Sequence, residues 1–463
     1  MEDLKATKIY PLESIAPEHR HMNYWDMFAT WVGANANNGT WFIGGVIAAC
    51  GLWGGVKALI IGSAVAYVFL SLVGYIGYKT GVTTTGLSRA AFGIRGSIGP
   101  SIVNLIQFIG WTAVNTFIAA TSISYLCHSI FGWPIYGKPG GNWSLLFGIV
   151  IMSILHLISV MAGQRSIQLI ERIGMILVFA FVVWETIVVF RETSFTQISH
   201  WVVPLKQRMS FGSALDSLAA FNLAWVTAGA DFTRFTNKKT VATSAPFFGA
   251  LIGVLWFAFV GLFATISIAV TSGVYDANNS DPSTIAAKLG LGALAMVVII
   301  LTSMTANAVN LQAAGSALNN MMPKISLKTA LWIVTVAATF VTMIPMVVGS
   351  FLDTFTAFLD VLGMILGPWM SIMCVDFFIL HHGNYKMTDL IKRNGPFWYK
   401  FGVNWWAFLC WALGVVLYLI IRKIDWFDHS VGAAYPVMLI IALVYYGIMK
   451  VRAIFTQEEQ HVN

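Results

Sequence analysis

Apolar residues in this chain gather into long continuous runs instead of alternating with polar ones. Crossing ~30 Å of hydrocarbon takes about twenty apolar residues in a helix. Stretches near 26–49, 57–78, 98–130, 143–162, 167–190, 212–230, 245–272, 286–320, 328–349, 351–380, 402–421 and 431–450 are of that order, and are numbered below as spans one to twelve. A closed barrel would show ten-residue strands of alternating hydrophobicity instead. A soluble protein could bury one such run as a core helix, but not twelve. The pattern predicts an all-α polytopic membrane protein of about twelve transmembrane helices.

Composition closes other routes. Hydrophobic residues make up 57% of 463 positions and charged ones 10%, against roughly 25% charged in soluble proteins. With 20 acidic residues and 14% aromatics, neither several soluble domains nor disorder fits. Cys50, Cys127, Cys374 and Cys410 lie singly in apolar runs, away from disulfide or metal spacing. The net charge of +7 does not indicate a nucleic-acid partner, because Lys and Arg never run longer than two together. With the amino terminus placed in the cytoplasm, nineteen of the 27 Lys and Arg fall on cytoplasmic segments. That bias predicts a multi-pass protein of the plasma (inner) membrane with both termini cytoplasmic. Residues 1–21 lack an apolar core followed by a small-residue cleavage site, so no cleaved signal is expected. No phosphate-binding glycine loop followed by Lys-Ser or Lys-Thr occurs, which argues against nucleotide hydrolysis as the energy source.

Polar residues inside the runs locate candidate chemistry, since each unsatisfied polar group in hydrocarbon costs several kcal/mol. Span one reads TWVGANANNGTW, with Asn35, Asn37 and Asn38 between Gly33 and Gly39. Such a stretch either unwinds to line a site or packs neighbouring helices through small residues and amides. Span six, SLAAFNLAWVTAGADFTRF, is short and carries Asn222 beside Phe221. Two interrupted spans opening successive groups of five point to an inverted-repeat transporter with its site at the midplane; the alternative for span six is an ordinary helix ending near Gly229. Span eight, LTSMTANAVNLQAAGSALNN, places Thr302, Thr305, Asn307 and Asn310 in an apolar helix, as cation oxygens or as inter-helix glue. In span three, Gln107, Trp111 and Asn115 follow at i, i+4 and i+8, an indole between two amides. That stripe could hold a flat heterocycle by stacking and hydrogen bonds, or simply pack a core. Glu185 and Asp360 are candidate proton carriers because ionisable groups inside spans are functional by default, and Asp353 shares that setting. Asp26, Asp231 and Asp376 fall near span ends, where they can cap helices. His156 is expected to be a satisfied core residue.

Several of these stretches together resemble the nucleobase–cation symporters, the cytosine, purine, allantoin and hydantoin permeases. The resemblance lies in GYIGYKTGVTTTGLSRAAFGIRGS after span two, IGWTAVN in span three, AGADFTRF after span six, LGPWMSIMCVDFF in span ten and GVNWWAF opening span eleven. It implies a leucine-transporter-type fold of two inverted five-helix repeats, 26–190 and 212–380, and two further helices over 402–450. A cytoplasmic segment 1–25 and tail 451–463 flank them. It also implies that Trp111 stacks on the substrate, that Asn115, Asn37 and Asn310 or Asn307 bind it, and that Gly33, Ala36, Thr302 and Thr305 hold Na⁺. This chain departs twice from the family pattern. Span eight offers one hydroxyl where two adjacent ones are usual, as Thr305–Ala306 or Met304–Thr305, which keeps H⁺ coupling open. Asn222 stands at the span-six aromatic, leaving Phe221 to cover the other substrate face.

The expectation is a cation-coupled importer of a nucleobase, cytosine first, or of a related purine, allantoin, hydantoin or vitamin pyrimidine. It would need no cofactor beyond the coupling ion, Na⁺ or H⁺, and would act as a monomer. A membrane enzyme would need a nucleophile–base pair or metal cluster that the sequence lacks. A channel would show no ion-driven accumulation.

Overall fold

A helix broken at mid-membrane must find partners for the backbone groups it frees, and the first apolar run meets this condition twice over. It folds as two helices, α1 (Tyr24–Asn35) and α2 (Asn38–Ile47), parted at Ala36 and Asn37. The structure is a computed structural model and describes residues 14–161, 164–322 and 324–462. After α2 come α3 (Leu52–Thr80), a short α4 (Thr84–Phe92), α5 (Ile98–Phe131), α6 (Gly141–Met161) and α7 (Gln164–Glu192). The second half opens on another broken span, α8 (Phe211–Val226) and α9 (Gly229–Thr233). It continues through α10 (Lys239–Ser272), a short α11 (Pro282–Lys288), α12 (Gly292–Met321), α13 (Leu327–Thr342) and α14 (Phe351–Cys374). The last two long helices are α15 (Trp405–Ile421) and α16 (Ala434–Val462).

Among the described residues eight helices are long and apolar enough to cross a membrane. The two broken spans, α7 and the 17-residue α15 bring the passes to twelve among the described residues. Each half runs in the same order: a broken span, a long span, a short helix and three more spans. Five is odd, so the second half starts from the opposite membrane face, and the repeats are inverted.

Some boundaries differ from the hydropathy reading. The connection 79–97 contains α4, because Thr83 accepts from Gly86 N–H and Asp231 accepts from Thr84 N–H at 3.0 Å, satisfying first-turn donors. Span eight divides into α11 and α12, and span nine pauses at Met343. The two 34-residue spans, α5 and α10, stop at Gly132 and Gly273, whose φ of +70° and +68° suits a left-handed cap.

Small residues let the first broken span sit close to α10. A side chain at Gly44 would overlap the Ala258 carbonyl, and one at Gly261 would overlap that of Trp41. In hydrocarbon such close packing replaces the hydrophobic effect as the force between helices. Trp31, Tyr67 and Trp369 are enclosed in the resulting core.

Candidate functional site

The break in span one is held by Asn37. Its backbone is extended, its Nδ2 donates to Ala34 O at 2.8 Å, and its Oδ1 accepts from Thr40 N–H at 3.1 Å. One side chain thus ends α1 and starts α2. The other two asparagines turn away. Asn35 accepts from the Tyr67 hydroxyl on α3 at 2.7 Å. Asn38 donates to Ile299 O and Ser303 Oγ on α12, both at 2.9 Å.

Beside the break lies a cavity of about 690 Å³. Gly33, Ala36 and Asn37 line it from span one, Trp111 and Asn115 from α5, Phe221 from α8, and Thr305 and Asn310 from α12. Its mouth is ringed by His21, Met22, Asp26 and Phe235, on the side where α1 begins. Toward the other side the core closes as an aromatic plug. Phe117 stacks on Phe351 at 4.1 Å, and Phe42 packs on Phe351 and Phe355 at 4.9 and 4.7 Å. Among the described residues this plug closes the cavity on that side, away from the start of α1. Beyond the plug lies a second, charged vestibule of about 1090 Å³, lined by Lys206, Arg208, Asp216, Asp353, Asp360 and Arg422 among others.

Trp111 is 9% exposed. Phe221 and Phe358 each meet its ring edge-on at 5.2 Å, with interplanar angles of 85° and 74°. This brace holds the indole upright at the cavity wall. Phe221 is perpendicular to Trp111, so in this conformation the two form a corner and not a sandwich.

Four residues singled out in the sequence lie behind the wall. Gln107 Nε2 reaches Asn104, Thr227 and the Ala224 carbonyl, fastening the break of span six to α5. Asn222 donates to Ser63 at 3.0 Å, and its Oδ1 lies 2.7 Å from the same Tyr67 hydroxyl, facing α3. Asn307 donates to Thr112 O at 3.0 Å and Thr116 Oγ1 at 3.1 Å, and accepts from Asn310 at 3.3 Å. Thr302 lies a turn below Thr305, whose hydroxyl donates to the Thr302 carbonyl at 2.7 Å. His156 lies within 3.4 Å of Thr116 and Asn307 in the same layer.

The carboxylates separate by role. Asp26 closes a capping box with Asn23, Asp231 holds α4, and Asp376 accepts from Tyr385 at 2.6 Å and Tyr445 at 2.8 Å. Asp360 is far from the aromatic cavity, paired with Arg422 at 3.0 Å on the vestibule wall, with 40% of its side chain exposed. Glu185 is fully buried on α7. Trp225 also lines the cavity; its signal in the sequence is its spacing of four from Phe221, which puts both on one face of α8.

A sequence profile for a family described as permease for cytosine/purines, uracil, thiamine and allantoin matches residues 14–446. Similar curated proteins include a putative purine-cytosine permease of Bacillus subtilis, 26% identical over 88% of this chain and 86% of that one. An allantoin permease of Bacillus subtilis is 25% identical over 95% of this chain and 92% of that one. Among solved structures, the inward-facing conformation of Mhp1 superposes with a TM-score of 0.80 at 19% identity, covering 96% of this chain and 94% of that chain. A closed conformation of Mhp1, a nucleobase-cation-symport-1 family transporter with bromovinylhydantoin bound, gives 0.75 at 18% identity and covers 94% of each chain. At such identity the likeness is one of fold: two inverted five-helix repeats and two added helices.

Proposed function

This chain belongs to the family of permeases for cytosine/purines, uracil, thiamine and allantoin, and we propose that it imports one flat, uncharged heterocycle, cytosine first, by cation-coupled alternating access. It is a transporter and not an enzyme. The observation that carries the proposal is the convergence of Trp111, Asn115, Asn310 and Asn37 from three separated spans on a cavity open on the side where α1 begins. The bias of Lys and Arg supports cytoplasmic termini in the plasma membrane, so the open mouth faces the cytoplasm in this state.

Hydrogen bonding behind the wall sets which atoms face the ligand. The Thr112 carbonyl can only accept, so Asn307 turns its NH₂ toward it. Asn307 Oδ1 then faces Asn310, which must donate, and Asn310 is left to offer its own oxygen to the cavity. Asn115 donates to Trp111 O at 3.1 Å, and its buried Oδ1 has no partner among the described residues. Two carbonyl-type acceptors therefore await N–H donors, while Trp111 supplies a stacking face. Cytosine, uracil, hydantoins and allantoin all carry such donors; a fully N-methylated ring does not.

If Na⁺ couples transport, the Gly33 and Ala36 carbonyls, the Thr302 carbonyl and the Thr305 hydroxyl are the oxygens that would hold it. The shell is thin, because Ala36 N–H already occupies Gly33 O, Thr305 occupies Thr302 O, and Ala306 adds only a methyl to the wall. That thinness favours H⁺ over Na⁺.

A thermal-shift screen of the purified protein against nucleobases, allantoin and hydantoins, with and without Na⁺, tests the reading, since a ligand that binds the folded form raises its melting point. Stabilisation by an N–H-bearing ring and none by its N-methylated form is expected. No stabilisation by any flat heterocycle overturns the proposal.

A further inference from the structure

The sealed region between the two cavities holds a carboxyl group that no part of the substrate site uses. Glu185 lies midway along α7, is 0% exposed, and neither of its oxygens has a hydrogen-bond partner among the described residues. It shares the buried stripe of α7 with Val178, Phe181, Val182 and Val189. Val178 lines the open cavity; Glu185 is seven residues farther, about 10 Å along the helix at 1.5 Å per residue.

Neighbouring rungs fix what that stripe faces. Phe181 meets Trp41 of α2 edge-on at 5.6 Å, Phe190 packs on Phe263 of α10 at 5.6 Å, and Thr193 bonds Ser267 of α10 at 2.6 Å. Glu185 therefore sits between the level of Trp41 and that of Ser267. In this layer Thr40 Oγ1, Trp41 Nε1 and Thr265 Oγ1 are also buried without partners among the described residues. Val46, next after Gly45 on α2, and Ala49, just past the end of that helix, already line the charged vestibule. The layer is thus the seal between two water-accessible spaces, with the inner one reaching Val178 and the outer one Val46.

We propose that Glu185 is the proton-binding site of this transporter, loaded from one cavity and unloaded to the other as the seal shifts. The inference rests on the transport reading and names its coupling ion. A bare carboxylate is strongly disfavoured where it is fully buried and no described donor reaches it, so in the sealed state the group carries its proton. Among the described residues no other charge is placed to take over that task. Among the elements packed on α7, α2 and α12 carry no titratable residue, α10 has only Lys239 at its first position, and α6 contributes His156, which faces Thr116 and Asn307. On α7 itself Arg191 and Glu192 lie exposed at the far end, and Arg165, Glu171 and Arg172 fall thirteen or more residues before Glu185 in the sequence.

The test uses the full-length protein in proteoliposomes and in detergent. Wild type should accumulate its heterocycle under a pH gradient, whereas E185Q should lose that accumulation entirely yet keep heterocycle counterflow, because Gln mimics the protonated acid. E185D should restore part of the pH-driven uptake. Infrared spectra of wild type bearing ¹³C-labelled glutamate need no ligand and read the site directly. A label-shifted carboxylic-acid C=O band at neutral pH is expected, and it should be lost in E185Q. Its absence in wild type overturns the proposal even if E185Q fails to fold. Accumulation driven by Na⁺ alone at clamped pH, unchanged in E185Q, also overturns the proton site and leaves the transport reading standing. A labelled acid band in a protein that exchanges no heterocycle would instead remove the transport reading and keep the buried acid.

Discussion

Both broken spans interrupt a membrane helix with polar residues, yet the two breaks are completed differently. In span one, Asn37 satisfies α1 and α2 from within the break itself, and the wall beside it stays open to the cavity. In span six the break at Thr227 and Ala228 is completed from outside. The Thr227 hydroxyl, with one hydrogen to give, lies 2.8 Å from Asn104 Oδ1 and 2.7 Å from Ala224 O, and Gln107 donates into the same cluster. One break keeps its amide at a ligand-accessible wall; the other gives up its polar capacity to α5. The lesson is that a polar interruption marks where a helix stops, while the neighbouring helix decides whether a site results.

The largest expected effect separates the wall from what lies behind it. Trp111→Ala removes the stacking face at the cavity and should weaken heterocycle binding by about 1–3 kcal/mol, by analogy with base–aromatic contacts. Binding by isothermal titration reads the change. Its melting temperature without ligand should fall as well, since Phe221 and Phe358 lose their packing partner. Unchanged affinity would show that the cavity is not where the ring sits.

Gln107→Leu is the mirror case and comes next in size. Gln107 lies on the same helical stripe as Trp111, one turn away, but it is engaged with the span-six break. Its loss removes the two N–H donors that Asn104, Thr227 and Ala224 share and should cost about 1–3 kcal/mol of stability through buried groups left underpaired. Affinity in the folded fraction should stay near that of wild type. A large affinity loss with normal stability would move Gln107 into the ligand site and erase the contrast between the breaks.

Asn37→Ser sharpens the comparison further. Ser still caps α2 through Thr40 N–H but is too short to reach Ala34 O across the break. Asn37→Ala loses both, and an N-cap is worth about 0.5–2 kcal/mol. Melting temperatures should therefore fall in the order wild type, Asn37→Ser, Asn37→Ala. Equal melting of the two variants would show that the α1 half of the bridge matters and the cap does not.

Much of this was legible in the sequence, and the limits have physical causes. Apolar run length shows the all-helical fold and twelve passes because hydrocarbon thickness sets it. The Asn and Gly cluster of span one and the short span six announced both breaks. Helical spacing put Gln107, Trp111 and Asn115 on one stripe of α5 but could not say which member faces ligand, since that depends on where Thr227 of another helix arrives. Likewise Asn307 and Asn310 differ by three residues, nearly one turn, and only the Thr112 carbonyl opposite determines that Asn307 supports while Asn310 reaches the cavity. Asp360 and Glu185 looked alike as intramembrane acids. The partner Arg422, 62 residues on in sequence, is what distinguishes the first.

The smallest effect concerns what the two breaks share. Tyr67 on α3 lies between Asn35 of span one and Asn222 of span six, 2.7 Å from the side-chain oxygen of each. A phenol has one hydrogen to donate, so the hydroxyl serves one amide at a time, and Asn222 keeps its second bond to Ser63. Tyr67→Phe preserves the buried ring and removes only the hydroxyl. A net hydrogen bond is worth roughly 1 kcal/mol, so a modest fall in melting temperature is expected with little change in affinity, because neither Asn35 nor Asn222 lines the cavity. If Tyr67 also makes the broken spans move as one body, Tyr67→Phe should lower the transport rate more than it lowers stability. Distances between spin labels on α1 and α9 should then broaden. Unchanged transport and unbroadened distances would mean that packing alone holds the two breaks together, and that the shared hydroxyl only satisfies buried amides.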